Sequence, residues 1–345
     1  MKRLAAVSLA IVVASLSPAT ADTCGLTGRF LQPDVDRDTQ AHVNRTVLFD
    51  SHAIVFTSMM HVDADGGPTT YSAKDPDGTL CNPKRHPENV GKDPIALGCA
   101  MDTICAGANV QIPGGTVLDY RSCPRLLKAF KTIRDSQWKP PSGYKLLPVG
   151  IEMKDADKGV PCVDASSTYI VSTSSTPSGL GGVACEQKKW LDTLVPSIVV
   201  PKCWANSYRK LAPKECASLP GPGVSPDVDV GDFVALRGRK SKQMTYGVVG
   251  DLGPNRKIGE ASVGMLMKAA GRANPPTYLA ATNGLDGLEQ FDVVIFKHTE
   301  FPKPLTLASA NEMATNAAAV FRDWAGSVQD SDRKLSICGV EAEAK

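Results

Sequence analysis

The sequence Tyr246-Gly-Val-Val-Gly-Asp251-Leu-Gly-Pro-Asn-Arg-Lys257-Ile-Gly-Glu260-Ala-Ser-Val263 is the stretch around which we predict the fold. Its first residues are apolar and β-branched, as in a buried strand, and Gly-Pro-Asn is typical of a turn that ends this strand just after Asp251. Apolar residues recur at helical spacing from Val263, which predicts a short amphipathic helix with Glu260 in or just before its first turn. The stretch therefore predicts a strand, a tight turn and a helix start, with one carboxylate on each side of the turn.

Asp251 and Glu260 are candidate catalytic residues, because a pair of Asp and Glu side chains can divide the acid and base roles of a hydrolase. A structural role is the alternative, since Asp251 can form an Asx-turn and Glu260 can complement a helix dipole. Under the catalytic hypothesis, the end of an apolar strand suits Asp251 to the role of general acid. A helix N-terminus favours an anion, which suits Glu260 to the role of general base.

The N-terminal residues predict export. Lys2-Arg3 is a basic start, residues 4–16 are apolar or small, and Ala19-Thr20-Ala21 is typical of a signal-peptide cleavage site. We expect residues 1–21 to be a signal peptide and the mature protein to be secreted, either extracellular or periplasmic. No later stretch approaches about eighteen apolar residues, so we expect no membrane association after cleavage.

The ten cysteines all follow the predicted cleavage site, and an even number in an oxidising compartment predicts up to five disulfides. Their spacings contain no Cys-x-x-Cys pair, and Cys99 and Cys105 are too far apart for a zinc knuckle. Residues 67–115 are rich in Cys, Pro and Gly with little apolar periodicity, which predicts a disulfide-bonded loop insertion. We expect neither a metal nor a cofactor.

The charge of the mature chain is balanced, because removal of Lys2 and Arg3 leaves 36 of the 38 basic side chains against 36 acidic ones. This balance argues against general binding of nucleic acids or membrane surfaces. A mature chain of about 324 residues with 6% aromatic residues is typical of one elaborated domain. We expect this domain to be a monomer.

The pattern of apolar residues predicts a β-rich domain with peripheral helices. Residues 22–45 are polar without a sustained period and are expected to form an N-terminal extension. A β-rich domain is expected over residues 46–305, followed by a C-terminal helix and tail over residues 306–345. Strands are predicted near residues 46–50, 53–57, 144–153, 168–173, 190–200, 230–236, 246–251 and 291–296, and helices near residues 123–134, 263–270 and 309–324.

Asp63 and Asp65 lie in a turn whose sequence begins like a calcium loop. The twelfth position counted from Asp63 is Lys74 instead of Glu, so the calcium-loop interpretation fails. The two aspartates are then either solvated turn residues or cleft carboxylates that recognise a cationic substrate.

Other site chemistry has weaker support in the sequence. Ser197 has no Gly-x-Ser-x-Gly elbow around it, and the five histidines lie in no recognisable triad context, which disfavours a serine hydrolase. Glycan clefts use aromatic faces as stacking platforms, and the aromatic candidates for such a role are Tyr71, Trp204, Tyr208 and Tyr246.

The order of these motifs resembles the fungal-type chitosanases of glycoside hydrolase family 75 and their bacterial relatives. Residues 229–264 carry most of the likeness, with a Gly-Asp pair, an Asp-x-Gly-Pro turn and a Lys-Ile-Gly-Glu-x-Ser motif. Weaker matches follow in the family's order, so that the resemblance covers roughly residues 55–300; they lie at residues 60–66, 168–173, 195–201 and 291–296.

The resemblance implies that Asp251 and Glu260 are the essential carboxylates of a secreted, endo-acting enzyme that hydrolyses β-1,4 glucosamine linkages of chitosan with inversion. It implies a six-stranded double-psi-like β-barrel core with peripheral helices and disulfide-bonded loops. Substrate-binding roles are expected for Asp63, Asp65, Tyr71 and Tyr246. Two alternatives stay open: a non-catalytic module that binds cell-wall glycans, and a peptidoglycan glycosidase on the same barrel.

Overall fold

A computed structural model describes residues 23–35, 41–63, 69–172, 185, 195–219, 224–272, 285, 287–301, 309–326 and 328–343. The strands are β1 (Gly28–Val35), β2 (His42–Phe49), β3 (Ala53–Met59), β4 (His61–Asp63), β5 (Tyr71–Ser72), β6 (Ala108–Gln111), β7 (Val117–Leu118), β8 (Lys145–Pro148), β9 (Met153–Asp155), β10 (Val160–Pro161), β11 (Tyr169–Ile170), β12 (Ser197–Pro201), β13 (Phe233–Gly238), β14 (Met244–Gly253), β15 (Glu260–Ser262) and β16 (Gln290–Phe296).

The α-helices of the same residues are α1 (Pro94–Leu97), α2 (Ile104–Gly107), α3 (Cys123–Asp135), α4 (Asn206–Leu211), α5 (Pro213–Cys216), α6 (Val263–Ala269), α7 (Ser309–Ala325) and α8 (Val328–Glu343). Short 3-10 helices lie at Pro87–Asn89, Tyr120–Ser122 and Lys202–Trp204. Helix and strand contribute almost equally, at 30% and 31%, so the fold is mixed and is organised by a large β-sheet.

The main sheet has nine strands in the order β1-β2-β3-β16-β13-β14-β12-β15-β4. Most neighbours are antiparallel, but β12 runs parallel to β14 and β15 runs parallel to β4. β4 continues the chain directly after β3, with Met60 alone between them, although β3 is third in the sheet and β4 is last. The sheet therefore curls strongly, so that β4, the last strand in the order, lies next to the end of β3, the third strand.

The two faces of the curled sheet bury separate apolar clusters, because side chains alternate along each strand. In β13, Val234 and Leu236 face the inner cluster, while Phe233 and Ala235 face the outer one. Helix α6 packs into the inner cluster, and helices α7 and α8 cover part of the outer face. The outer surface near β12, β15 and the end of β14 carries the candidate site.

The N-terminal region is part of the main sheet. β1 pairs with β2 over its full length, and β2 begins before residue 46, where the folded domain was expected to start. Phe30, Gln32 and Asp34 alternate as buried residues in β1. Two of these three buried side chains are polar, so the alternation of the strand does not show as a pattern of apolar residues. For this reason the sequence predicted an extension here instead of a strand.

The C-terminal residues also differ from the expectation. The segment after Asp330, expected to be a tail, lies within helix α8. Leu335, Cys338 and Ala342 are buried on one side of this helix and belong to the outer cluster. Cys338 is bonded to Cys24, so the disulfide joins this helix to the start of the described chain.

The predicted disulfide-bonded insertion at residues 67–115 contains the short elements β5, α1, α2 and β6. Strand β6 pairs with β7 and β8, which follow the insertion, and the helix predicted near residues 123–134 is α3, which packs on this small sheet around an apolar cluster. The prediction of five disulfides is confirmed, since all ten cysteines are paired; the remaining bonds are Cys81–Cys99, Cys105–Cys123, Cys162–Cys185 and Cys203–Cys216. Five disulfides indicate an oxidising environment, as found outside the cytosol.

None of the helices in the described ranges is both long enough and apolar enough to cross a membrane.

Candidate active site

Val199, in the middle of β12, pairs with two acidic residues at once. On one side it lies opposite Asp251 of the parallel strand β14, and on the other side it lies opposite Glu260 of the antiparallel strand β15. Residues paired across neighbouring strands project from the same face of a sheet, so both carboxylates lie on one face with Val199 between them. Two strand spacings place their backbones about 9 to 10 Å apart. Both residues are partly exposed.

A bulge in β14 turns Asp251 toward this face. The register of β12 on β14 shifts between Ile198 and Val199, which leaves Gly250 as the extra residue of β14. A side chain at Gly250 would collide with that of Ser197, so glycine suits the position. If β14 instead paired without a bulge, with Gly250 opposite Val199, the alternation of side chains would direct Asp251 into the inner cluster.

The carboxylate of Glu260 reaches across β12 toward β14. A methyl group added at Gly253 would lie 2.7 Å from Cγ1 of Val199 and 3.3 Å from Oε2 of Glu260. Gly253 is two residues beyond Asp251 in the same strand and therefore shares its face. The absence of a side chain at Gly253 leaves room for the Glu260 carboxylate, which approaches the strand that carries Asp251.

The two carboxyl groups have different surroundings. The ammonium group of Lys257 forms an ion pair with Oε1 of Glu260, and the two side chains are 30% and 18% exposed. Oδ1 of Asp251 accepts a hydrogen bond from the N–H of Leu252 at 2.6 Å. Glu260 is thus complemented by a full positive charge, and Oδ1 of Asp251 receives the dipole of a backbone amide.

Strand β1 holds the turn that carries Lys257 and Glu260. The N–H of Ile258, inside the turn, donates to Oδ1 of Asp34 at 3.1 Å, and Oδ2 of Asp34 lies 2.6 Å from Nε of Arg45. Asp34 is buried, and its distance of 224 positions from Ile258 made this contact invisible to sequence motifs. The first hairpin of the sheet is therefore part of the support for the candidate site.

Asn255 connects the same turn to three other elements. Its backbone carbonyl accepts from Nε2 of Gln32 at 2.9 Å, and Oε1 of Gln32 accepts from Nε1 of the buried Trp204 at 2.9 Å. Its side-chain Oδ1 accepts from the N–H of Cys203 at 2.8 Å, and its Nδ2 donates to Glu215 at 2.9 Å. The turn is thus fixed from several sides, as a precise catalytic site requires.

Gly259 allows this turn to lie directly against β3. Its φ is +81°, a left-handed conformation that favours glycine, and an added Cβ would lie 2.6 Å from the carbonyl oxygen of Met59. The N–H of His61 donates to the carbonyl oxygen of Gly259 at 2.7 Å. These contacts set the position of β15 and hence of Glu260.

Strand β4 adds two polar residues beside Glu260. His61 lies opposite Glu260, and Asp63 lies opposite Ser262, in the parallel pairing of β4 with β15. By alternation His61 and Asp63 share the face of Glu260. The structure therefore brings one predicted substrate-binding residue, Asp63, to the candidate site. It also adds His61, which the sequence signalled only by its position two residues before Asp63.

The other predicted substrate-binding residues are placed differently. Tyr71 is 2% exposed within the core of the insertion, beside Gly107, and so is closed to a substrate. The ring of Tyr246 packs against that of Phe321 in helix α7, with centroids 5.9 Å apart, and burial raises the pKa of its hydroxyl. Both aromatic rings serve packing here. Asp65 lies outside the described residues.

The position of Glu260 also differs from the expectation. Glu260 belongs to strand β15, and Ser262 is the N-cap of helix α6, with its Oγ accepting from the N–H of Met265 at 3.2 Å. The helix dipole is therefore not the direct partner of Glu260. Lys257, which is three residues before Glu260 in the same motif, supplies the positive charge instead.

The geometry on this face suits hydrolysis by two carboxylates. In the described parts of the chain, no group of three or more His, Cys, Asp and Glu side chains is arranged to hold a metal ion.

A scan against protein-family models finds no matching family, and a search of curated proteins finds no match.

Proposed function

We propose that the protein is a secreted, endo-acting glycosidase that cleaves β-1,4 glucosamine linkages of chitosan with inversion of configuration. The observation that carries this proposal is the pairing of Val199 with both Asp251 and Glu260. An inverting enzyme needs its carboxyl groups about 6.5 to 9.5 Å apart, which leaves room for a water molecule; a retaining enzyme needs about 5 Å. The backbones of Asp251 and Glu260 are separated by β12, and the Glu260 side chain reaches back toward β14. We propose inversion from the resemblance to the family 75 chitosanases.

The surroundings of the carboxylates support a division of roles. Glu260 lies beside the Lys257 ammonium, which complements its negative charge, and we assign it the role of general base. Asp251 then donates the proton to the departing glycosidic oxygen. In the reaction, Glu260 removes a proton from water as that water attacks the anomeric carbon, and the bond to the protonated oxygen breaks. Proton exchange with solvent restores both groups.

The substrate class follows from charge on the same face. Asp63 shares this face with Glu260, and we assign it the role of pairing with the ammonium group of a glucosamine unit. Asp65, two residues further, is proposed as a second such residue. Aromatic stacking has less support, because Tyr71 and Trp204 are buried in cores. Recognition by charge favours chitosan over an uncharged glycan.

The strand order supports a closed barrel as the scaffold of this site. If β3 and β4 are counted as one strand bent at Met60, then β16, β13, β14, β12 and β15 complete a ring of six. Parallel pairing of β12 with β14 and of β15 with β4 is compatible with crossed connections. We therefore propose a six-stranded double-psi-like barrel, extended at β3 by the β1–β2 hairpin.

The secreted location is proposed on two grounds. The basic start, the apolar run and Ala19-Thr20-Ala21 match a cleavable signal peptide, and five disulfides fit an oxidising compartment. N-terminal sequencing of exported protein should begin at Asp22.

The test is hydrolysis of defined polymers by purified mature protein. Chitosan, chitin and peptidoglycan are incubated separately, and new reducing ends are measured. We expect activity on chitosan, and loss of at least about 10³-fold in kcat for Asp251→Asn and for Glu260→Gln. Asp155→Asn is the matched control, because it removes a carboxylate that pairs with Lys158 at 2.8 Å on the surface.

Different failures have different meanings. Cleavage of peptidoglycan alone would change the substrate, and glycan binding without any new reducing ends would favour a binding module. Full chitosan activity in both carboxylate variants would show that catalysis occurs elsewhere. With an activated leaving group, azide should restore turnover to Glu260→Ala, while Asp251→Ala should turn over without azide; the opposite pattern would exchange the two roles.

A further inference from the structure

One side of helix α3 concentrates positive charge on a protein whose mature chain is nearly neutral. Residues 120–134 contain five basic residues and no acidic one. Four of these cations are exposed and follow one another at intervals of four, three and three residues, which places them along one side of the helix and its preceding turn. They are Arg121, Arg125, Lys128 and Lys131, and together they form the α3 basic face.

The α3 basic face does not contribute to the packing of helix α3. The opposite side of the helix supplies the buried contacts through Leu126, Phe130 and Ile133. Arg121 lies 3.7 Å from Asp119, whereas the side chains of Arg125 and the two lysines form no ion pair with a described residue. Neighbouring cations at these spacings repel one another. A partner with negative charge would relieve that repulsion.

An exposed aromatic ring adjoins this charge. Tyr120 is 65% exposed, and the guanidinium carbon of Arg121 lies 5.3 Å from the centroid of its ring. An aromatic ring at the surface can stack on the apolar face of a sugar, and a guanidinium group binds carboxylates or sulfates with two hydrogen bonds. The combination is suited to a sugar ring that bears an acidic group.

We propose that Tyr120 and the α3 basic face bind an anionic polysaccharide. From Arg121 to Lys131 there are ten steps along the chain, or about 15 Å along a helix, so the four cations can contact acidic groups on successive sugars. A membrane-binding surface usually has a continuous exposed apolar face beside its charge. The exposed large apolar side chains near this row in the sequence are Val117 and Tyr120. The site is separate from the proposed catalytic face, and its charge repels chitosan.

Binding to polygalacturonate, a soluble anionic polysaccharide, provides the test. Isothermal titration of the mature protein at about 0.15 M salt is compared with two variants of equal net charge. In the first, Arg121, Arg125, Lys128 and Lys131 are all replaced by Gln. In the control, four exposed cations elsewhere, Lys84, Arg85, Lys92 and Lys154, are replaced by Gln.

We expect the first variant to bind at least about tenfold more weakly than wild type and the control to bind within about twofold of it. Tyr120→Ala should weaken binding at least about threefold, because it removes the stacking platform. Unchanged thermal unfolding of each variant shows that folding is retained, since all the altered side chains are exposed.

Several results would overturn the proposal. Equal losses of affinity in both quadruple variants would mean that binding depends on the net charge of the protein and not on the α3 basic face. If the wild-type protein did not bind polygalacturonate, the proposal would be wrong. Tighter binding to duplex DNA or to anionic phospholipid vesicles, with no effect of Tyr120→Ala, would assign the surface to a different polyanion.

Discussion

Replacing Asp34 by alanine tests whether the first hairpin fixes the turn that carries Lys257 and Glu260. Asp34 is 2% exposed, lies 2.6 Å from Nε of Arg45 and accepts from the N–H of Ile258 at 3.1 Å. Alanine removes both contacts. Loss of one partner from a buried ion pair costs about 3 to 5 kcal/mol, and the lower end applies here because Arg45 keeps partial contact with water. We expect the free energy of unfolding to fall by about 3 kcal/mol.

The assay is equilibrium unfolding in urea at neutral pH with the disulfides intact. Fluorescence of the buried Trp204 is a local probe, because its Nε1 donates to Gln32 in the same strand as Asp34. Asp34→Asn keeps an acceptor for Ile258 and should recover part of the loss. Asp155→Ala should leave the unfolding midpoint unchanged. A fall of less than about 1 kcal/mol for Asp34→Ala would refute the role assigned to the hairpin.

Three further predictions concern backbone, charge and disulfides. Gly259→Ala should lower the free energy of unfolding by at least about 1 kcal/mol more than Gly271→Ala in urea unfolding, because both have positive φ but an added Cβ clashes only at Gly259; equal losses would contradict this. Burial raises the pKa of Asp232 to about 6, so between that pH and its unfolded value of about 3.9 the folded state binds an extra proton. This carboxyl should therefore stabilise the fold progressively as the pH falls through that window, and an NMR titration midpoint below about 5 would contradict the shift. Peptide mapping of non-reduced protein should recover the five disulfides of the structure, and free thiols or other pairings in folded protein would count against it.

Local sequence was enough to predict the elements around the central motif. The strand that contains Asp251, a turn after it and the helix that starts at Val263 all appear, because apolar period and turn residues act over a few positions. The strand continues to Gly253, and the turn lies at residues 255–256. Glu260 was placed in or just before the helix. It lies in a short strand instead, because β12 and β4 pair with it from both sides, and such pairing is set by distant residues.

The relation between Asp251 and Glu260 depends on register, which sequence motifs do not reveal. The bulge at Gly250 decides which face Asp251 takes, and only the pairing with the neighbouring strand reveals this bulge. Tyr71 and Tyr246 illustrate the same limit for binding residues. Their aromatic character suggested a glycan cleft, but packing against distant elements determines whether a ring faces a substrate or a core.

The anomer released first from chitosan oligosaccharides tests the central claim most directly. Proton NMR in the first minutes of hydrolysis distinguishes α from β reducing ends before they interconvert. The proposed inverting mechanism of Asp251 and Glu260 predicts that the α anomer appears first, because water attacks from the face opposite the departing oxygen. Initial release of the β anomer would mean retention, which needs carboxyl groups about 5 Å apart, and would contradict the assignment of this pair.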